Sequence, residues 1–582
     1  MSERGHLGRL LTVAVALVLV WAGLAARLIY LHVGENAHLR DRVDNIHKRT
    51  QQILVGRGRI LDRKEKILAL DREKKHVVAD PKLIIESGHS GFIMHQLARL
   101  LELNPAIIRS RIIERPERHH EYLAKFIDAD FAASIKSMGM RGVFFEDASA
   151  RSYPGDILAG HVIGFSNLEG VGASGVELRY DRYLRGVPGM RQIEIDGRSK
   201  EMYLRRGLDI QPQHGSDVVL TIDQHLQHFV EHALDKAMVE HQAKGAWAIV
   251  QHVRTGEILA MASRPALNPN SFRSANDEEK LNRAIGYTYE PGSTFKVAVF
   301  AAAFNEGLID PNEMIDCENG TWMHQGRPLR DFHPYGILTI ADALKKSSNI
   351  AAAKVALELG DQRLYQYLRD FGIGQSTGIE LPGDESGILY APNRWTKLSI
   401  SRIAMGHEVA STALHLVNIL SAMGNSGFLM KPRIVSRIVN TDGDIVYASK
   451  EEVLSRPIRG DTATLMCRLL SRITDDGGTG ARARVEGYTV AGKTGTAEKV
   501  LPGGGYSKDE NIASFMGLIP AEQPELSIIV VVDAPQPEHT GGKVAAPVYR
   551  EIAEQAVKYL DIAPVSQAQM DEFKNLYVER IL

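Results

Sequence analysis

Tyr289-Glu-Pro-Gly-Ser-Thr-Phe-Lys296 places a hydroxyl and an amine three residues apart, just after a Pro-Gly pair. Pro291 and Gly292 read as a turn opening a helix, and the apolar run Phe295–Phe304 continues it. Residues i and i+3 share a helix face, so the spacing predicts that Lys296 Nζ reaches Ser293 Oγ. A serine at a helix N-terminus also lies near free backbone N–H groups and the positive end of the dipole, which favour a developing negative charge. A lysine base beside such a serine turns an unreactive alcohol into a nucleophile.

Ser-x-x-Lys alone would recur by chance about twice in a chain this long, and here it occurs once. Two further motifs follow it. Lys345-Lys-Ser-Ser-Asn349 contains the Ser-x-Asn of Ser347 and Asn349, and Val490-Ala-Gly-Lys-Thr-Gly-Thr-Ala497 contains a Lys-Thr-Gly-Thr with strand-like flanks. A second Ser-x-Asn, Ser274-Ala-Asn276, precedes the serine and is out of order. Serine, Ser-x-Asn and Lys-Thr-Gly in this order form a joint signature of acyl-transferring serine enzymes.

With 44% hydrophobic and 24% charged residues over 582 positions, the composition is that of a globular protein of several domains. A formal net charge of −2 gives no support to a polyanionic partner, so nucleic acid is not expected. Cys317 and Cys467 are the only cysteines; a disulfide between them is allowed, and two buried thiols are the preferred reading. Leu10–Ala26 carries no charge, and apolar character resumes after Arg27 as far as Leu31. A helix over 10–31 would be roughly 33 Å long, enough to cross a bilayer core with Arg27 reaching the interface. Gly23-Leu24-Ala25 also permits signal-peptide cleavage, but the apolar stretch runs on past it. Arg4 and Arg9 mark a cytoplasmic tail, whereas Arg27, Arg40 and Arg42 blur the charge asymmetry.

From about 33 to 213 the chain is charged and punctuated by Gly and Pro. It contains Gly56-Arg-Gly-Arg-Ile-Leu-Asp-Arg63, a strand-like Val77-Val78-Ala79, an amphipathic helical stretch over 91–103, Tyr153-Pro-Gly-Asp156 and Gly172-Ala-Ser-Gly-Val-Glu177. A second composition starts near Ser216. A strand is predicted over 218–222, a helix over 224–239, and a hairpin over 246–252 and 257–263. A helical middle follows, then strands over 488–497, 513–519 and 526–532, and a closing helix over 547–559. Hairpins at both ends with helices between them predict an α/β protein of the α+β kind, an antiparallel sheet flanked by helices.

On these motifs the chain resembles the membrane-anchored class B penicillin-binding proteins, and by its order of parts the division-specific peptidoglycan D,D-transpeptidases. The resemblance implies a cytoplasmic tail (1–9), a transmembrane signal-anchor (10–31), an elongated non-catalytic pedestal of the dimerisation type (32–215), a transpeptidase domain (216–562) and a C-terminal extension (563–582). Arg57-Gly-x-Ile-x-Asp-Arg63, the Tyr153–Phe165 stretch and Gly175-x-Glu177 resemble pedestal motifs. Ser293 is expected to attack the carbonyl between the two terminal D-alanines of a stem peptide. Lys296, kept neutral by neighbouring cations such as Lys493, is expected to take the serine proton. Ser347 would bridge the two amines. Asn349 would hold the donor peptide, and Lys493, Thr494 and Thr496 its carboxylate, with Gly495 allowing close strand approach. The resemblance also implies an oxyanion hole from the N–H groups of Ser293 and Thr496. No cofactor and no metal is expected. The implied partners are peptidoglycan stem peptides, β-lactam antibiotics, a SEDS-family glycan polymerase with other division proteins, and the bacterial inner membrane, with the catalytic domain in the periplasm. Met405-Gly-His-Glu408 and Thr412-Ala-Leu414 depart from the family pattern, with Glu408 at a common glycine and Ala413 at a common proline.

Several patterns have blander readings. His228-Phe-Val-Glu-His232 matches a zinc-protease pattern but has no evident third ligand. Asp223 reads as a helix cap, Ser348 as structural, and Gly503-Gly504-Gly505 as a hairpin tip. The competing functions are an elongation-type transpeptidase, a non-catalytic β-lactam sensor or scaffold, and a β-lactamase. A sensor needs a route inward that one span and a short tail do not offer, and a β-lactamase has no use for a long pedestal.

Overall fold

The uncharged N-terminal run contains no proline, and it forms one continuous helix, α1 (Glu3–Ile29), closed by a π-helical turn over Tyr30–Gly34. The computed structural model describes residues 3–34, 48–53, 55–194, 209–501 and 503–579. Arg40 and Arg42, which entered the charge count, lie outside the described residues. Helix α1 is long and apolar enough to span a bilayer. Its apolar side chains are bare along its length, Trp21 at 72% exposure, as suits a hydrocarbon surround. Arg27 lies 5.4 Å from the Tyr30 ring at the end that snorkels.

The chain divides into two compact units. One comprises residues up to Gly56 together with Gly186–Gly215. Besides α1 it holds a small antiparallel sheet of Lys48–Ile53, Gly189–Glu194 and Asp209–Ile210.

The second unit, Arg57–Arg185 with Ser216–Leu582, contains the rest. Asp223 accepts the N–H groups of His225 and Leu226, capping helix α2 (Gln224–Glu240). The predicted hairpin forms as β1 (Gly245–His252) and β2 (Ile258–Arg264). Four further helices matter for the site: α3 (Lys296–Asn305), α4 (Asn349–Leu359), α5 (Ala413–Gly424) and α6 (Ala545–Tyr559). Late in the chain come β3 (Ala491–Val500), β4 (Tyr506–Ile519) and β5 (Leu526–Asp533). The antiparallel sheet runs β2-β1-β5-β4-β3, so β5 pairs with β1 and stitches the two distant segments together. Every residue of β5 is buried, because helices cover both faces. Ala248, Val250, Ile528 and Val530 face α2 and α6, while Trp247, Ile249, Ile529 and Val531 face α3 and α5, the period-two alternation of a strand. Tyr488, expected in the last group of strands, lies before β3; its hydroxyl donates to the Ile562 carbonyl.

A second sheet draws on both sides of position 216. Ile60–Leu61 pairs in parallel with Asp217–Leu220, which pairs with Val435–Val439. On its other edge Ile60–Leu61 meets Ile67–Ala79, a strand far longer than the Val77–Ala79 piece visible in the sequence. Ile60, Tyr153, Ile163 and Val176 share one core with Val218 and Trp247. The packing of residues 57–185 is therefore continuous with that of the chain after 216. The motifs expected in the pedestal meet in a buried charge network. The Arg57 guanidinium donates to Glu177 Oε2 at 2.7 Å and to Asp181 Oδ1 at 2.7 Å, and Arg151 Nε donates to Glu177 Oε1 at 2.6 Å. A smaller core of Val77, Ile84, Leu97, Ile108 and Leu123 gathers the helices of residues 81–113 against the far end of the long strand.

Candidate active site

Ser293 lies in a 3-10 turn, Gly292–Phe295, that leads into α3. Gly292 has φ +58°, a conformation that favours glycine, and a Cβ there would come within 3.0 Å of the Thr496 carbonyl oxygen. Behind the turn, the Gly292 N–H donates to the Gly406 carbonyl, and a Cβ on Gly406 would lie 2.2 Å from the Gly292 oxygen. Met405–Glu408 thus backs the Ser293 turn directly. Glu408 has φ +58°, which accounts for glycine being common there. Its N–H donates to Glu290 Oε1 at 2.9 Å and its carboxylate pairs with Arg402 at 2.6 Å. Thr412 caps α5, which puts Ala413 at the first helical position, where proline is at home.

Lys296 begins α3 and is fully enclosed. An enclosed amine must find acceptors, and they come from across the cleft. Nζ donates to the Ser347 carbonyl at 2.7 Å and to Asn349 Oδ1 at 2.7 Å, with Ser347 Oγ at 3.3 Å. The hydrogen bond expected between Lys296 and Ser293 is not made. Ser293 stays half-buried at the mouth, and its hydroxyl has no hydrogen bond among the described residues.

Ser347 ends the helix Ile340–Lys346 in the left-handed region, φ 60° and ψ 39°. This strained conformation for a non-glycine residue turns the chain sharply into α4. Ser348 caps α4, accepting the Ala351 N–H at 3.1 Å. The turn brings Ser347 Oγ within 2.8 Å of Lys493 Nζ, so one hydroxyl bridges two buried amines. Burial pulls Lys296 down from 10.5 to about 7, with the Asp331 carboxylate acting in the opposite direction. Burial also lowers Lys493 well below its ordinary value, and the charge of Lys296 lowers it further. The charge of Lys493 was expected to neutralise Lys296; burial is what lowers it.

Lys493, Thr494, Gly495 and Thr496 occupy β3, antiparallel to Met516–Ala513 of β4. Lys493 Nζ also donates to the Thr494 carbonyl at 3.1 Å. Gly495 sits where a Cβ would fall 2.3 Å from Ser514 Oγ and 2.9 Å from Thr294 Cγ2, so the strand lies tight against the Ser293 turn. Thr496 is exposed to the cleft, and its hydroxyl accepts the Gly541 N–H at 3.1 Å. Thr494 is buried and donates to Thr479 Oγ1 at 2.9 Å.

Ser293, Lys296, Ser347, Asn349 and Lys493 therefore converge from three elements distant in sequence. Glu290 and Gly406 also belong to the site; both lie in stretches quoted from the sequence but were given no role there. Asp331 and Thr479 lie in no motif, and only the fold brings Asp331, from the loop after Arg327–Arg330, to the base of α4. The zinc-like pattern does not assemble: His228 and His232 are exposed, whereas Glu231 is buried and paired with Arg264 at 3.2 Å. No cluster of His, Cys, Asp and Glu among the described residues is placed to hold a metal.

Residues 246–554 match the penicillin-binding protein transpeptidase domain, and residues 52–220 match the penicillin-binding protein dimerisation domain. The chain is similar to a probable peptidoglycan D,D-transpeptidase PenA of Neisseria meningitidis, 31% identical over 96% of this chain and 94% of that protein. It is likewise similar to the peptidoglycan D,D-transpeptidase FtsI of Escherichia coli, 31% identical over 94% and 91%. Among solved structures, penicillin-binding protein 3 of Mycobacterium tuberculosis in complex with aztreonam superposes with a TM-score of 0.70 at 26% identity, covering 89% of this chain and 98% of that one.

Proposed function

The chain belongs to the class B penicillin-binding proteins, and on that footing we propose that Ser293, Lys296 and Ser347 are its catalytic residues, with Asn349, Lys493, Thr494, Gly495 and Thr496 binding substrate. The protein is a serine-type peptidoglycan D,D-transpeptidase that cross-links stem peptides and takes β-lactams into the same site. The observation that carries the residue assignment is the pair of buried amines on the single Ser347 hydroxyl, beside a half-buried serine.

A neutral Lys296 has two N–H groups, which the Ser347 carbonyl and Asn349 Oδ1 occupy at 2.7 Å each. Its lone pair is left to accept a proton. Ser293 Oγ then adds to the carbonyl carbon of the penultimate D-alanine as its proton passes to Lys296. Backbone N–H groups of Ser293 and Thr496 receive the developing oxyanion, a contribution of about 10²–10³ per donor in rate. Collapse expels the terminal D-alanine, whose amine takes a proton relayed through Ser347. An amine of a second stem peptide attacks the ester carbonyl and its proton passes to Lys296; collapse breaks the bond to Ser293 Oγ, which takes that proton back from Lys296, and the new amide is the cross-link.

Treatment with penicillin followed by digestion and mass spectrometry should place the adduct on the peptide that contains Ser293, and Ser293→Ala should abolish fluorescent-penicillin labelling. An adduct elsewhere sinks the assignment. We assign the activity to the division septum, with the pedestal (32–215) docking a SEDS-type polymerase, α1 as the single-pass anchor, and the transpeptidase domain (216–562) in the periplasm. The support is the similarity to FtsI of Escherichia coli over 94% of this chain and α1, which among the described residues is the one helix long and apolar enough to span a bilayer. Depletion in the native cell should produce filaments; rounded cells would favour the elongation reading.

A further inference from the structure

Between α3 and α4 the chain makes a small β insert. Thr321–His324 and Arg327–Arg330 form a hairpin, and Asp331 follows directly, at the base of α4. One oxygen of its carboxylate accepts the Ser348 hydroxyl at 2.7 Å. The other accepts the backbone N–H groups of Asn349 and Ile350, the latter at 3.1 Å. Those are the first N–H groups of α4, where a carboxylate is favoured by charge and by unmet donors. The neighbouring Arg330 carbonyl accepts Asn349 Nδ2 at 2.9 Å. With its amide nitrogen held there, Asn349 must aim Oδ1 the other way, to Lys296 Nζ.

Residues 330 and 331 therefore grip the Ser-x-Asn turn at four points. The turn needs gripping, because Ser347 is held in the left-handed region, a conformation that costs of order 1–3 kcal/mol unless its surroundings impose it. Both partners of Lys296 hang from this turn. We propose that Asp331 is a positioning residue of the acylation step: its carboxylate clamps the Ser347–Asn349 turn and is the anionic group opposite Lys296. The inference rests on the reading of Ser293 and Lys296 given above.

The charge has a consequence separate from the clamp. Burial opposes protonation of Lys296, and Asp331 favours it. Several other charges on the elements around α3 have partners of their own. Lys346 donates to the Gly477 carbonyl, Asp342 pairs with Arg472, Lys354 with Glu318, and Arg363 with Glu306; Lys345 stands beside Lys346 on the helix before Ser347. Removing the Asp331 charge should thus make Lys296 easier to deprotonate, while loosening the turn should make it a worse base in position.

The test is the second-order rate of fluorescent-penicillin acylation against pH, on the full chain in detergent. For Asp331→Asn the plateau should fall by tenfold or more and the acid limb should move down by about one pH unit. Asp331→Glu, which keeps the charge but not the reach, should leave the limb in place. Ser348→Ala, which removes one clamp bond and no charge, should lower the plateau several-fold without moving the limb, and it covers the case in which Asp331→Asn does not fold. An unmoved limb in folded Asp331→Asn, or a wild-type plateau in Ser348→Ala, overturns the proposal. A wild-type profile with no acid limb near pH 7 would instead overturn Lys296 as the base, which separates the two failures.

Discussion

At the scale of single residues, the chemistry depends on the protonation of two enclosed amines. Lys296 has its midpoint near 7 instead of 10.5 because burial disfavours its charge. A base must be unprotonated, so acylation should fall about tenfold per pH unit below 7 and level off above it; a rate flat from pH 5.5 to 9 would refute the assignment. Lys493 is also fully buried, and its amine spans Ser347 Oγ and the Thr494 carbonyl. Lys493→Ala should slow acylation by at least about a hundredfold, since both the bridge and the N–H donors offered to a carboxylate are lost. Lys493→Arg should restore little of this, because a planar guanidinium does not fit a pocket filled by one ammonium. Stopped-flow labelling of both variants decides the point. Ser293, Lys296, Ser347, Asn349 and Lys493 were all legible as motif residues. Asp331 was not, because an aspartate after a hairpin carries no local mark of the helix it will cap.

At the scale of elements, the site is a meeting of backbones at van der Waals limits. Gly406 has φ +81°, and its missing Cβ makes room for the Gly292 carbonyl. Gly406→Ala should both strain its own backbone and push the Ser293 turn toward β3, cutting acylation more than tenfold while lowering the melting temperature. Retention of wild-type rates would show that the turn takes its position from α3 alone. The helix after Ser293, the β1–β2 hairpin and the late strands were readable from apolar periodicity and turn residues. The 3-10 start of that helix was not, and neither were the acceptors across the cleft that draw Lys296 Nζ toward Ser347 and Asn349. Spacing assumes a regular helix, whereas an enclosed amine goes where acceptors are.

At the scale of the whole molecule, residues 57–185 are part of the unit that carries Ser293, Lys296 and Lys493. Glu177 has no exposed surface and holds Arg57 and Arg151 at once. Glu177→Ala should destabilise the protein by about 3–5 kcal/mol, because two guanidinium groups lose their buried counter-charge; thermal unfolding measures it. A chain begun at Ser216 should be poorly soluble compared with one begun at Arg57, since it bares Val218, Leu220 and Ile222, each worth about 1.5–3 kcal/mol when buried. Equal solubility and equal melting would show that the early segment is only attached. The sequence by itself determined the candidate nucleophile, the order of the three motifs, the apolar N-terminal helix and the class of fold, because each is a short-range pattern of residue type and spacing. Only the tertiary structure decided that burial sets the charge state of the lysines, that Asp331 clamps the Ser-x-Asn turn, and that residues 57–185 share a core with the catalytic sheet. Those outcomes depend on which segments meet across hundreds of residues, and solvent exclusion and close packing act only after they have met.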